Sequence, residues 1–252
     1  MSKPLPTWRP SSAATSLDLS DIRTVIFDFD GVVADSEVLS LSTLHAALEE
    51  VGIELSQDDV RAAFLGRSLA TISAYVAEHT LSQAADGFAE TWQSKLFTQL
   101  KRSLRALPSC LALLEHLDRT GLDYCIASSS TFERIALSLH AMNLSNRFDH
   151  IFSAELVARG KPAPDLFLHA AASVGADPTT CLVVEDSPYG VKAAAAAGMR
   201  CAGFVGGTHL RGIEDRHSEL LIQNGADIVI ETQLALIDMG LSGHGSEPRR
   251  TT

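Results

Sequence analysis

The chain has 252 residues, 46% of them hydrophobic and 20% charged, and a formal net charge of -11 at neutral pH. That acidity argues against a nucleic-acid partner, because a phosphate backbone is held by clustered Lys and Arg. A small phosphorylated ligand stays compatible with it if positive charge is gathered into one pocket. No apolar run approaches the length needed to cross a bilayer, so the expectation is a cytoplasmic protein without a membrane partner; a monomer is the default expected for the architecture read below.

Residues 1–20 are polar, rich in Ser and Pro, and read as a loose leader. The segment Thr24 to Phe27 is β-branched and aromatic, suits a strand, and runs into Asp28-Phe29-Asp30-Gly31. From 36 to 105 the pattern is helical, with Leu41, Leu44, Ala47, Leu48 and Val51 on one stripe and Leu96, Leu100 and Leu104 on another. In that stretch Phe88, Trp92 and Phe97 are spaced as helix core, and His45 borders the same face. Short apolar runs then return at 122–127, 181–184, 201–205 and 226–230, each ending in polar residues or glycine and separated by helical segments. Ser187 is placed to cap a helix beginning at Pro188 and ending near Gly198, and Pro164 to open one carrying Leu166, Phe167, Ala170, Ala171 and Val174.

Buried runs of this length alternating with helices predict an α/β fold, a Rossmann-like doubly wound parallel sheet. The core would take residues 21–35 and 106–242, the all-helical stretch 36–105 would form an inserted cap, and 243–252 a loose tail. The four cysteines, Cys110, Cys125, Cys181 and Cys201, are far apart and mostly beside apolar residues, which predicts buried, reduced thiols.

In open parallel sheets ligands bind beyond the carboxyl ends of the strands, and the acids here stand at those ends. Asp28 and Asp30, two apart in an extended segment, can point to one side. Phosphoryl transfer needs attacking and leaving oxygens roughly in line, so Asp28 suits a nucleophile and Asp30 a general acid/base. Glu185 and Asp186 end a second buried strand. Carboxylates crowded into one crevice repel unless a cation joins them, and hard oxygen ligands beside phosphate favour Mg²⁺. Ser128, at a strand end before a helix starting near Thr131, suits a phosphate cradle. Lys161, between Gly160 and Pro162, suits neutralisation of phosphate.

Together these residues resemble the haloacid dehalogenase superfamily, in its sugar-phosphatase and β-phosphoglucomutase-like branch. The resemblance rests on four segments in family order: 27–37 (FDFDGVVADSE), 127–130 (ASSS), 160–165 (GKPAPD) and 183–191 (VVEDSPYGV). It implies Asp28 as nucleophile, Asp30 as general acid/base, and Asp28, the Asp30 carbonyl and Asp186 as Mg²⁺ ligands, with Glu185 in or next to that shell. It implies Ser128, the Ser129 N–H and Lys161 as phosphate binders, and the cap loop Gly66-Arg67-Ser68 as the specificity element. The substrate expected is a small phosphorylated sugar, sugar acid or polyol.

Two departures separate the chain from the mutases of that branch. Ser40 stands where they carry a His, and Arg67 directly follows Gly66 instead of lying three residues beyond it. Both favour hydrolysis over a phosphosugar mutase. A phosphate-sensing regulator without catalysis is the third reading, and the presence of Asp28, Asp30, Lys161 and Asp186 weighs against it. Lys95 and Lys101 read as exposed helix positions and not as Schiff-base lysines. His209, after Gly206-Gly207, reads as loop surface.

Overall fold

A computed structural model describes residues 17–67, 69–81 and 85–242. Ser68, the leader up to residue 16 and the tail from residue 243 lie outside the described residues. The strands are β1 (Thr24–Phe27), β2 (Asp123–Ser128), β3 (Ile151–Ser153), β4 (Cys181–Glu185), β5 (Arg200–Phe204) and β6 (Ile228–Ile230). All pair in parallel in one sheet of order β3-β2-β1-β4-β5-β6. The chain therefore steps from β1 to one side for β2 and β3, then returns to the other side for β4. That reversal opens a crevice at the carboxyl ends of β1 and β4.

Each strand pleat sends alternate residues to opposite faces. Val25, Phe27, Leu182 and Val184 join one buried cluster, where α5 (Pro108–Thr120) and α6 (Phe132–Ala141) pack through Leu113, Leu117, Ile135 and Leu139. Ile26, Cys125 and Val183 join the other, against α7 (Asp165–Ser173) and α8 (Pro188–Ala196). Residue pairs one apart along β1 thus serve two different layers, as a sheet covered on both faces requires. All four cysteines are buried free thiols, and burial pushes those of Cys110 and Cys125 up to about 12.

Helix α8 follows the reading closely. The Ser187 hydroxyl accepts from the Gly190 N–H, Pro188 is the first helical residue, and Gly198 takes the positive φ of 70° that ends the turn. Pro164 sits one position earlier than expected, as the cap residue of α7 and not inside it. Edge strand β3 was absent from the sequence reading. Its three residues are too few to show a period, and pairing with β2 makes them a strand. At the other boundary, Leu19 lies in the core and its N–H meets the Met239 carbonyl at 3.1 Å. The packed chain therefore begins before Asp21, within the segment read as leader.

Between β1 and α5 the described residues form α1 (Glu37–Glu50), α2 (Gln57–Phe64), α3 (Leu69–His79) and α4 (Phe88–Ser103), and among them no strand. They have their own apolar cluster, including Leu44, Leu48, Val60, Ile72, Phe88 and Trp92. The apolar residues of α4 divide between two cores. Phe88 and Trp92 belong to the helical cluster, while Leu96 and Leu100, with the C-cap residue Leu104, belong to the cluster beneath the sheet. The two chain crossings run side by side, since Ala34 bridges Ala106 and the Asp35 N–H meets the Arg105 carbonyl at 3.0 Å. The remaining α-helices are α9 (Glu214–Gln223), which packs against β5 and β6, and α10 (Ala235–Asp238), whose Leu236 joins the cluster that α5 and α6 share.

Candidate active site

The sheet order decides where the acids meet. β1 and β4 are neighbours with Phe27 opposite Val184, and the Asp28 N–H donates to the Val184 carbonyl at 2.9 Å. Asp28 therefore emerges beside Glu185 and Asp186. Oxygens of Asp28, Glu185 and Asp186 lie within 4.8 Å of one another, and all three residues are buried.

Lys161 enters from the loop before α7 with its side chain 4% exposed. Its Nζ donates to Asp28 Oδ1 at 2.5 Å and to Glu185 Oε2 at 2.7 Å, and lies 4.7 Å above the Phe167 ring. Burial disfavours the charged lysine, yet Asp28 and Glu185 outweigh it and hold the ammonium above its ordinary range. Burial first, then the Glu185 charge, push Asp28 well above the usual carboxylate range, with Lys161 opposing. Glu185 is raised by burial, again against Lys161. Its second oxygen accepts from the Ser187 N–H at 3.0 Å.

Lys161 meets two of these three carboxylates and the His209 ring meets the third, so three acids are crowded into one buried place. Clustered hard oxygen donors are the set a divalent cation takes, and these residues fit one. Two glycines permit the close approach. A Cβ on Gly31, whose φ is 82°, would overlap the Asp186 carboxylate, and one on Gly190 would overlap the Glu185 carboxyl group.

Asp30 leaves this cluster and faces β2 and α6. Its Oδ1 accepts from Ser36 Oγ at 2.5 Å and from Arg134 Nη2 at 2.7 Å, and its Oδ2 accepts from Ser130 Oγ at 2.5 Å. Burial raises this carboxyl, but the Arg134 charge and the Ser130, Ser36 and Arg134 hydrogen bonds prevail and hold it below its ordinary range. Ser128 is buried, its Oγ accepting from the Ser130 N–H at 3.0 Å, while Ser129 is exposed. In the turn after α2, Gly66 has φ 69° and Arg67 donates from Nη1 to the Tyr189 hydroxyl on α8 at 2.9 Å. The reading of Ser68 as part of that loop falls outside the described residues.

Three groups escaped the sequence reading or were misjudged by it. His209 is not loop surface. It is buried, with Nε2 at 3.0 Å from Asp186 Oδ2. The correction has a packing cause, since Gly31 and Gly207 leave the space its ring fills. Arg134 was unmarked, although a cation in the first turn of a helix works against the dipole unless an acid pairs with it. Glu37 was noted only as part of a motif. Burial, then the Asp30 charge, raise it to about 7, with Arg134 and His209 opposing.

That shift has a testable sign. With EDTA present, Glu37 ionises in the unfolded chain near its ordinary 4.5 but in the folded chain only near 7, so stability falls as pH rises through that window. Glu37→Gln removes the cost. It is expected to raise stability by on the order of 2 kcal/mol at about pH 8 and by little at about pH 5, read by urea unfolding.

Residues 25–204 match the family of haloacid dehalogenase-like hydrolases. The chain belongs to that family. A probable pseudouridine-5'-phosphatase of Drosophila melanogaster is 32% identical over 72% of this hydrolase and 81% of its own length. Hexitol phosphatase A of Escherichia coli is 31% identical over 69% and 78%. The Arabidopsis thaliana protein SUPPRESSOR OF QUENCHING 1, chloroplastic, is 29% identical over 96% of the hydrolase, which spans only 23% of that relative. Among solved structures, a haloacid dehalogenase-like protein of Agrobacterium tumefaciens is 32% identical, with a TM-score of 0.73 over 86% of this chain and 96% of its own. The hydrolase is accordingly an enzyme of the phosphomonoester-hydrolysing kind. No helix of the described residues is long and apolar enough to cross a membrane.

Proposed function

We propose that the hydrolase is a Mg²⁺-dependent phosphatase of small sugar, sugar-acid or polyol phosphates, working through an aspartyl phosphate on Asp28. The observation that carries this reading is the convergence of Asp28, Lys161, Glu185 and Asp186 at the switch point of the sheet. An Asp28 oxygen attacks phosphorus, the bond to the leaving oxygen breaks, and Asp30 hands that oxygen its proton. Water then attacks the acyl phosphate, its proton passes to Asp30, and phosphate leaves with Asp28 regenerated. Lys161, fixed between Asp28 and Glu185, offsets negative charge where the phosphoryl group sits. Ser128 and the Ser129 N–H close the other side of that place.

Asp28, the Asp30 carbonyl and Asp186, with Glu185 beside them, would hold the cation. It would supply charge neutralisation for a phosphoryl group brought against carboxylates. In this reading residues 36–105 act as a cap over a core of 21–35 and 106–242, and residues 66–68 (Gly-Arg-Ser in the sequence) test the rest of the substrate. Ser40, in the position where the mutases carry a His, is nearly buried on α1 and favours simple hydrolysis.

A panel of sugar, sugar-acid and hexitol phosphates, assayed for released phosphate with Mg²⁺ and with EDTA, tests the proposal. Release from at least one of them with Mg²⁺ is expected, falling by at least about 100-fold in EDTA. Equal release in EDTA would remove the metal from the proposal. No release, with isomerisation when a sugar bisphosphate is added, would make the protein a mutase.

A further inference from the structure

Asp30 can act on the leaving oxygen only if its carboxylate is held at one angle, and the two serines that touch it, Ser36 and Ser130, are neutral hydroxyls that can turn away. Arg134 is placed to do so. It sits in the first turn of α6, where the helix dipole opposes a cation, with its side chain 18% exposed. Its Nη2 meets Asp30 Oδ1 at 2.7 Å. Beyond Asp30, the negative charges that favour the guanidinium are Glu37 and Asp28. Its Nε is buried and has no hydrogen-bond partner. A guanidinium kept there against both desolvation and the dipole is anchored by its charge-assisted bond to Asp30.

The two Asp30 oxygens differ in kind. Oδ1 takes the guanidinium together with Ser36 Oγ, whereas Oδ2 has only the Ser130 hydroxyl, a neutral group whose O–H can turn away. We infer that Arg134 is a positioning residue that anchors Oδ1 of Asp30 and so leaves Oδ2 as the oxygen that exchanges the proton with the leaving group and the attacking water. The inference rests on the acid/base reading of Asp30 and adds the residue that makes it directional. Lys in place of Arg keeps the charge but loses the fixed planar fork.

The decisive comparison uses kcat/KM, which covers only the steps up to loss of the leaving group. The Mg²⁺-loaded enzyme is assayed with two probes, β-glycerol phosphate and p-nitrophenyl phosphate. The alkoxide of the first must be protonated as it leaves, while p-nitrophenolate leaves unaided. Arg134→Met is expected to lower kcat/KM for β-glycerol phosphate by about 30-fold or more, and for p-nitrophenyl phosphate by less than about threefold. Arg134→Lys should regain part of the loss. In an Asp30→Asn background, adding Arg134→Met should cost little more, because the group it positions is already gone.

Equal losses on both probes would make Arg134 merely structural and overturn the inference. So would an unchanged profile. If Arg134→Met fails to fold, the Lys variant carries the same test through its ratio between the two probes. Asp30→Asn separates the two levels of the argument. No leaving-group dependence in that variant would overturn the acid/base reading itself, whereas dependence there and none at Arg134 overturns the positioning role alone.

Discussion

Asp28→Asn is expected to abolish turnover, with kcat falling by at least about 10⁴-fold, because the amide cannot form the acyl phosphate. The same substitution should not weaken the fold. Asp28 is buried and its carboxyl is raised well above the usual range, so the folded chain binds its proton more tightly than the unfolded chain does. Ionising it at neutral pH therefore costs stability, and that cost grows as pH rises. Asn is nearly the same shape and never ionises, and Lys161 keeps its second partner, Glu185, at 2.7 Å. In EDTA the variant is expected to melt at or above the wild-type temperature. Thermal unfolding beside phosphate release measures both halves. A variant that retains turnover would rule out Asp28 as the nucleophile, and one that melts much lower would contradict the charge account of the site.

Lys161→Met carries the second large effect, and here stability and activity fall together. The substitution leaves Asp28 and Glu185 buried side by side without the ammonium that touches both. Removing one partner of a buried ionic group costs about 3–5 kcal/mol at neutral pH without metal. The loss should shrink toward about pH 5, because carboxyls already raised by burial take up protons and relieve the repulsion. Added Mg²⁺ should return part of it by linkage. In the proposed mechanism kcat/KM also falls, by about 100-fold or more, as phosphate loses its fixed positive neighbour. Urea unfolding at two pH values, with EDTA and with Mg²⁺, is the measurement. A variant as stable as wild type in EDTA at neutral pH would show that Lys161 does not hold the cluster together.

Much of the fold was legible because its signals are local. Runs such as Cys181 to Val184 are wholly buried, and a strand covered on both faces reads as a continuous apolar run. Ser187, Pro188 and Gly198 mark the two ends of α8 by chemistry that belongs to a few adjacent residues. Strand β3 was not legible, since three residues carry no period and its identity comes from pairing with β2. The division of α4 between two cores was equally hidden, because one apolar stripe runs through both parts.

The candidate site divides the same way. Asp28, Asp30, Glu185 and Asp186 stand out in the sequence because two pairs of acids end two separate apolar runs and their spacing has chemical meaning. The sequence by itself also determined that Lys161 lies in a short loop stiffened by Pro162 and Pro164, with no sign of what it touches. The tertiary structure alone decided that Lys161 joins Asp28 and Glu185, that His209 is buried against Asp186, and that Arg134 grips Asp30 from 104 residues away. Propensity, capping and periodicity are set by neighbours within a turn or two, and so a sequence displays them. The partner of a buried charge is set by sheet order and by the space that Gly31 and Gly207 leave, and those exist only once the chain is folded.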